Sequence, residues 1–426
     1  MKVLGLITEY NPFHNGHLYH LEKSKALSGA DYTVCVMSGN FIQRGEPAIV
    51  DKWARARMAI AAGVDLVIEL PLVYAMSSAE LFAYGAVKIL DSMWIVENIC
   101  FGSENGNIDE LMEIASTLAF EPEAYRNLLK SCLAEGSSYP AARQEALSRY
   151  YQSIGKKTSG YDEILGSSNN ILGIEYIKAL LRLKSNIKPL TIKRFGNSYN
   201  SEVLAGNISS ATSIRTAINN NIELNKIALS MPSISVSILM EEFRNGRGPV
   251  SPSSLEGILL HCLRITRKDD LSKIVHISEG LENRIKAAAR DCGSYDELIR
   301  GIATRRYTTT RIGRALFSSL LGITQKEFEE FNTYGGPQYI RVLGFNGKGT
   351  EILKKIKKSA LLPVIIKTAD FKDSCNPVVK RMLEIEAIST DIYVLGYKNP
   401  VFRKAGQEFT RNIVIENKKA FEKAFL

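Results

Sequence analysis

Nowhere in its 426 residues does this chain hold an apolar run near the roughly 20 residues that a membrane span needs. A membrane is therefore not an expected partner. The N-terminus already reads as a strand and lacks the regions of a signal peptide. The six cysteines (Cys35, Cys100, Cys132, Cys262, Cys292, Cys375) are scattered, with no CxxC pair. That spacing points to reduced thiols in a cytoplasm and away from a disulfide frame. No Gly-rich loop of Walker or GxGxxG spacing follows a strand candidate, and no residue cluster has metal-ligand spacing. Repeats, low-complexity stretches and long linkers are missing too, so the parts should pack together. With 45% hydrophobic and 23% charged residues the composition is that of an ordinary globular protein. The length suits about two or three domains.

What is present starts with Thr8-Glu9-Tyr10-Asn11-Pro12-Phe13-His14-Asn15-Gly16-His17-Leu18-Tyr19-His20. Before it, Val3–Ile7 is an apolar, β-prone run of the kind that makes a buried parallel strand. After it, Leu18, Leu21, Lys25 and Leu27 begin a helical pattern, and Asn11-Pro12 between them signals a turn. The result is strand, tight loop and helix, with imidazoles in the helix's first turn. Free N–H groups and the positive end of the helix dipole suit a phosphate there. Gly16 leaves the backbone open to a bulky ligand, and His14 and His17, three apart, share a face. Three of the five histidines fall within seven positions. Coincidence or a metal is the plain alternative, but no Cys or carboxylate partner stands nearby at ligand spacing.

Residues 1 to about 200 alternate strand and helix candidates. The strands are Lys2–Ile7, Tyr32–Met37, Leu66–Leu70, Asn98–Phe101 and Pro189–Lys193. The helices are Gly16–Ser28, Lys52–Ala62, Ser77–Leu90, Asp109–Leu118, Glu123–Glu135, Ala141–Ile154 and Asn170–Arg182. Such alternation predicts a parallel sheet covered by helices, with ligands beyond the carboxyl ends of the strands. From about Asn219 to Asn332 the pattern turns helical. Beyond Gln338, apolar runs at Tyr339–Phe345, Leu362–Lys367 and Ile392–Leu395 accompany helices at Thr350–Lys358 and Pro377–Ile388. The expected fold is α/β, with domains at 1–218, 219–337 (helical) and 338–426 (a small basic α/β cap).

After the second strand, the loop Met37–Pro47 has no regular period, and it ends at the same sheet edge as His14. Ser38, Gly39, Asn40, Gln43 and Arg44 should line the pocket, with Arg44 able to hold a small carboxylate bidentately. Lys52, Arg55 and Arg57 follow on a helix; one can face phosphate, and at least two should meet solvent. Gly102 could let an adenine ring rest on the backbone. Asn170 opens a helix, where it is also a plain N-cap, and Arg194 follows the fifth strand. Ser209 and Ser210 should cap a new helix and turn hydroxyls and free N–H groups to a phosphate, with Arg215 one turn on.

The net charge of +9 is uneven: Gly301–Leu426 carries 22 Lys+Arg against 12 Asp+Glu. A polyanionic partner fits that excess. Arg305, Arg306, Arg311 and Arg314 cluster beside Tyr307, an aromatic that could stack a base. The run Lys354, Lys355, Lys357 and Lys358 reads instead as a solvated helix face.

His-Asn-Gly-His followed much later by ISSATSIR resembles the HIGH-type nucleotidyltransferases, whose motifs map onto His14, Gly16 and His17 and onto Ser209, Ser210 and Arg215. The segments TEYNPFHNGHLYHL, MSGNFIQRGEPAIVDKWARARMA, FGSE, SSNNILGIEYIKAL, ISSATSIR and YIRVLGFNGKG together resemble the bacterial tRNA(Met) cytidine acetate ligase family. The resemblance implies a Rossmann-like domain that activates acetate with ATP as acetyl-adenylate, releasing pyrophosphate. The acetyl group then passes to N4 of the wobble cytidine of elongator tRNA(Met). It implies an ATP site of Ile7–His20, Gly102, Asn170 and Arg194, with His14, His17, Ser210 and Arg215 catalytic. Mg²⁺ is expected with the triphosphate. Acetate and tRNA are the expected partners, and oligomeric state is not legible. Two other readings are an adenylyltransferase for a small phosphorylated cofactor precursor and a non-enzymatic tRNA-binding protein with a vestigial ATP site.

Overall fold

Strands form where the β-branched runs fall: β1 Val3–Thr8, β2 Tyr32–Ser38, β3 Leu66–Leu70, β4 Asn98–Ser103 and β5 Lys188–Lys193. In this computed structural model, which describes residues 1–136, 139–156, 161–194, 209–220, 222, 224–304, 306–371, 374 and 376–416, they are mutually parallel. Among the helices between and after them are α1 Asn15–Ser28, α2 Lys52–Ala61, α3 Ala79–Ser92, α4 Ser168–Leu183 and α5 Ala211–Asn219. Their order in the sheet is β3–β2–β1–β4–β5. The chain therefore builds outward from β1 and then crosses back to β4 on its other side. A crevice opens at such a reversal, outside the carboxyl ends of β1 and β4. The His14 loop follows the first of these strands and Gly102 lies on the second.

Both faces of the sheet are covered. Val34, Val36, Leu66 and Ile68 point into one apolar cluster, while Cys35, Met37 and Val67 point into the other. The two-residue pleat sorts them, and burial on both faces explains why these strands are almost continuously apolar.

In the helical region, α6 (Thr309–Leu321) carries Phe317 to within 5.5 Å of Phe41, centroid to centroid. Leu263, Ile285 and Ile312 belong to the same cluster as Val36 and Phe41, so this region shares its core with the sheet. The residues after Gln338 do so as well. Strand β6 (Ile340–Phe345) pairs antiparallel with β3, and β7 (Val364–Ile365) and β8 (Val414–Ile415) pair parallel with β6. The α/β character expected there is present, but these strands extend the main sheet instead of folding as a separate cap. Strand β3 is buried at every position, so its outer edge needs a partner for its N–H and C=O groups. Helix α7 (Gly347–Ser359) follows β6. The apolar run Ile392–Leu395 is helical, not extended: it ends α8 (Pro377–Tyr393), whose Val378, Met382, Ile385 and Tyr393 are buried at helical spacing.

The cations of α2 depart from expectation. Lys52 and Arg55 are fully buried, and only Arg57 reaches solvent. Lys52 Nζ lies 2.6 Å from Glu69, 2.9 Å from Glu408 and 3.9 Å from Glu386, while Arg341 also reaches Glu69 and Glu408. Arg55 has no carboxylate partner among the described residues; it donates to the carbonyls of Glu9, Ser38, Gly39 and Val50. Periodicity could not reveal this, because the carboxylates that bury Lys52 come from β3 and from the last fifth of the chain. Among the described residues no helix is long and apolar enough to cross a membrane.

Candidate active site

Helix α1 starts with two imidazoles that cap it. His14 is the N-cap residue, and its Nδ1 accepts from Gly16 N at 3.0 Å. His17 Nδ1 accepts in return from His14 N at 3.3 Å. This is the reciprocal geometry of a capping box, made here by histidines where Ser and Glu usually serve. Each ring must therefore be unprotonated at Nδ1, and the neutral tautomer then carries its proton on Nε2, the far ring atom. Electrostatics agree. Burial, then Arg194 and Arg215, lower the His14 pKa to about 3. Burial, then His14, Arg194 and His20, hold His17 well below its ordinary value. The two rings lie 3.7 Å apart, centroid to centroid, a packing that two imidazolium ions would resist.

A second helix N-terminus meets this one. Ser210 caps α5, its hydroxyl accepting from Ser213 N at 3.0 Å. Ser209 accepts from the Ser230 hydroxyl at 2.9 Å, and the Ser230 carbonyl accepts from Asn15 N at 2.9 Å. Asn15 Nδ2 donates to Leu229 O. The 229–230 loop thus ties the start of α1 to the start of α5, residues some 200 apart in sequence. Arg215 completes the join by donating to Asn11 O at 2.8 Å. Two positive helix ends and a guanidinium converge, which is an anion site by its dipoles alone.

They converge on a cavity of about 210 Å³. Of the expected ATP residues, Ile7, Thr8, Glu9, Tyr10, Asn11, His14, Gly16, His17, Tyr19, His20, Gly102 and Arg194 line it, as do Ser210 and Arg215. Pro12, Phe13, Asn15 and Leu18 do not; Phe13 is buried in the core behind the loop, and Asn15 is turned to Leu229. The Asn11 Nδ2 and His20 Nε2 atoms are buried and have no hydrogen-bond partner among the described residues. The stem of Arg194 lies over Gly102, where a Cβ would come within 3.1 Å of its Cγ.

Several expected positions are corrected. Of the Met37–Pro47 loop only Gln43 reaches the cavity. Ser38, Gly39 and Asn40 are buried behind it, where Asn40 accepts from Lys52 N and donates to Thr390. Arg44 does not line the cavity either. Asn170 neither caps α4 nor lines the cavity; the capping position is Ser167, and the carboxylate of Glu104 accepts from Asn170 N at 2.9 Å and from Asn169 Nδ2 at 2.6 Å. Its neighbour Asn169 faces the ligand space. Two adjacent asparagines cannot be told apart by sequence, since only the register of α4 decides which faces inward. Sequence reasoning also missed the apolar end formed by Phe82, Leu172, Tyr176 and Ile192. The 172/176 spacing on one helix was the available signal.

In the basic group, Arg305 lies outside the described residues. Tyr307 is not presented to a base: it is buried, and its hydroxyl donates to Glu279 O at 2.5 Å. Arg306 and Arg311 pair with Glu279 at 3.4 and 3.2 Å. Arg314 sits at the Gln43–Gly45 turn, which joins two short antiparallel strands at Phe41–Ile42 and Glu46–Pro47, and it donates to Gln43 O at 3.3 Å.

The family model described as HIGH Nucleotidyl Transferase matches residues 1–408. The chain is 56% identical, over 97% of its length and 100% of the relative's, to a tRNA(Met) cytidine acetate ligase of Acetivibrio thermocellus. It is 47% identical, over 97% and 100%, to one from a Thermoanaerobacter strain. Among solved structures, apo TmcAL of Thermotoga maritima superposes with a TM-score of 0.94 at 39% identity, covering 97% of this chain and 99% of that one. The same protein bound with alpha-thio ATP gives 0.91 at 40% identity, covering 98% and 100%.

Proposed function

This chain belongs to the tRNA(Met) cytidine acetate ligase family of HIGH nucleotidyl transferases, and from that membership we propose that it uses ATP to activate acetate and acetylates N4 of the wobble cytidine of elongator tRNA(Met). The observation that carries the reading is the cavity where the N-termini of α1 and α5 meet under Arg194 and Arg215. A triphosphate there faces the positive ends of two helix dipoles, two guanidinium ions and the Nε2–H of neutral imidazoles. Acetate attacks the α-phosphorus through a carboxylate oxygen, the bond to the bridging oxygen breaks, and pyrophosphate leaves. His14, His17 and Arg215 are the groups positioned to stabilise the charge that grows on the leaving oxygens. The purine fits the apolar end at Phe82, Leu172 and Tyr176, beside Gly102 and Asn169.

A divalent ion would accompany the triphosphate. Among the described residues no group of three His, Cys, Asp or Glu side chains could hold one on the protein. The five described cysteines are free thiols, which agrees with a reducing compartment, the cytoplasm. An adenylyltransferase for a small cofactor precursor would not need the helical region, yet the ligase relatives match across that region too.

The test incubates purified protein with ATP, labelled acetate and unmodified tRNA(Met), with His17→Ala alongside. ATP-dependent label on RNA from wild type only is the expected outcome. ATP cleaved to AMP with no label on RNA would leave the nucleotidyl transfer right and the acceptor wrong.

A further inference from the structure

Of the three described arginines in the basic group, one lacks an ion pair among the described residues. Arg306 and Arg311 share the carboxylate of Glu279. Arg314, one helical turn beyond Arg311 on α6, makes no ion pair among the described residues. Its Nη1 donates to Gln43 O at 3.3 Å, and its Nε is buried with no hydrogen-bond partner among the described residues. Burial and the like charge of Arg311 lower its pKa to about 10. A partly buried guanidinium without a counter-ion among the described residues is a favourable place for an anion to bind.

The backbone has been shaped to deliver this group. Helix α6 meets the Gln43–Gly45 turn main chain to main chain. A Cβ on Gly45 would fall on the backbone nitrogen of Arg314, and one on Gly313 would lie 2.8 Å from Arg44 O. Gly45 also holds a φ of 73°, which glycine adopts freely. The two glycines therefore let the helical region press against the one turn of the loop that contributes a cavity residue, Gln43.

We propose that Arg314 holds a backbone phosphate of the RNA strand whose cytidine enters the cavity, at the seam between α6 and the Gln43–Gly45 turn. This rests on the ligase reading above. Arg314 does not line the ATP cavity, so it is not placed to hold a carboxylate that must reach the α-phosphorus. It stands instead just outside Gln43, at the end of the Arg306–Arg311–Arg314 row, where an incoming strand passes. A bidentate guanidinium suits a phosphate diester.

The test separates two half-reactions in wild type, Arg314→Gln and Arg314→Lys. One is acetate-dependent exchange of pyrophosphate into ATP without RNA, and the other is transfer of labelled acetate to unmodified tRNA(Met). For Arg314→Gln the loss falls on transfer: KM for tRNA rises roughly tenfold, and its log–log salt slope drops by about 1. Arg314→Lys recovers most of both. An unchanged KM and slope for tRNA, or a KM for acetate raised in the exchange reaction, overturns the proposal. Failure of exchange in wild type would count against the ligase reading itself. Should Arg314→Gln not fold, wild type decides through phenylglyoxal modification of Arg314 followed by mass spectrometry. Protection by tRNA but not by ATP plus acetate supports the site; protection by acetate, or by neither, refutes it.

Discussion

His17 performs two tasks with two nitrogens, and they can be separated by substitution. Its Nδ1 caps α1 through His14 N–H, and its Nε2 carries the proton that a phosphate oxygen would accept. Asparagine places an amide oxygen near the Nδ1 position and nothing at Nε2; glutamine places an amide N–H near Nε2 and nothing at Nδ1. The cap is worth about 1 kcal/mol, and its 3.3 Å length puts it at the low end of that range. In a chain this long such a loss shifts Tm by no more than about 2–4 °C. A donor aimed at charge developing in the transition state is worth far more, about 2.7–4 kcal/mol or a factor of roughly 10²–10³ in kcat. His17→Asn should therefore fold with an unchanged Tm and lose about 10²–10³ in pyrophosphate exchange. His17→Gln should melt slightly lower while keeping a larger share of the rate. Scanning calorimetry and exchange kinetics on the same preparations read both. If His17→Asn is active, or His17→Gln is as inactive as His17→Ala, the division of labour between the two nitrogens is wrong.

Lys52→Met leaves Glu69, Glu386 and Glu408 facing Arg341 alone, and should cost about 3–5 kcal/mol in urea unfolding; a loss under about 1 kcal/mol would show that the buried network does not hold the C-terminal strands to the sheet. Gly45→Ala forces a side chain into a φ of 73° and onto α6, so it should lower stability by at least about 1–2 kcal/mol and impair transfer to RNA more than pyrophosphate exchange. The pH dependence follows from the imidazoles. Burial lowers His14 to about 3 and His20 and His276 to about 4, from an ordinary 6.5. Between those values the unfolded chain binds protons that the folded chain does not. The histidines' contribution to stability should then be complete by about pH 7 and fall from pH 6.5 toward 4, by up to about 1.4 kcal/mol per pH unit per histidine. Equal urea midpoints at pH 7.5 and 5.5 would contradict it.

The strands β1 to β5 and the starts of α1, α2 and α5 were legible because each is written locally: a short apolar run, a turn dipeptide, a capping residue. The positions of His14, His17, Ser210 and Arg215 at one cavity followed from two such local patterns and the rule that ligands sit beyond the strand ends. What was not legible is long-range. Lys52 looked like a surface cation because its partners, Glu69, Glu386 and Glu408, lie up to 356 positions away. The residues after Gln338 looked like a separate unit because β6 repeats the strand pattern without saying which edge it joins. Asn170 and Asn169 differ by 100° around α4, and sequence carries no register. Tyr307 beside four arginines has the composition of a base-stacking site, yet its hydroxyl bonds the Glu279 carbonyl and its ring is buried.

The protonation of the two imidazoles connects the fold to the chemistry. Burial, with Arg194 near both rings and Arg215 near His14, keeps His14 and His17 neutral, and that neutrality is what allows two rings to pack 3.7 Å apart with both Nδ1 atoms accepting from backbone. A lysine at either position would hold charge but could not cap. A serine would cap but could not reach beyond the first turn with a donor. A triphosphate in the cavity would place negative charge between the arginines and the rings and offset the arginines' field, while both Nδ1 atoms stay committed to the backbone, so each ring can offer only its Nε2–H. That donor matters most when pyrophosphate is leaving, because that is when the oxygens nearest the helix ends gain charge. A capping box of histidines thus lets one pair of side chains stay silent while the helix folds and respond only when phosphate arrives.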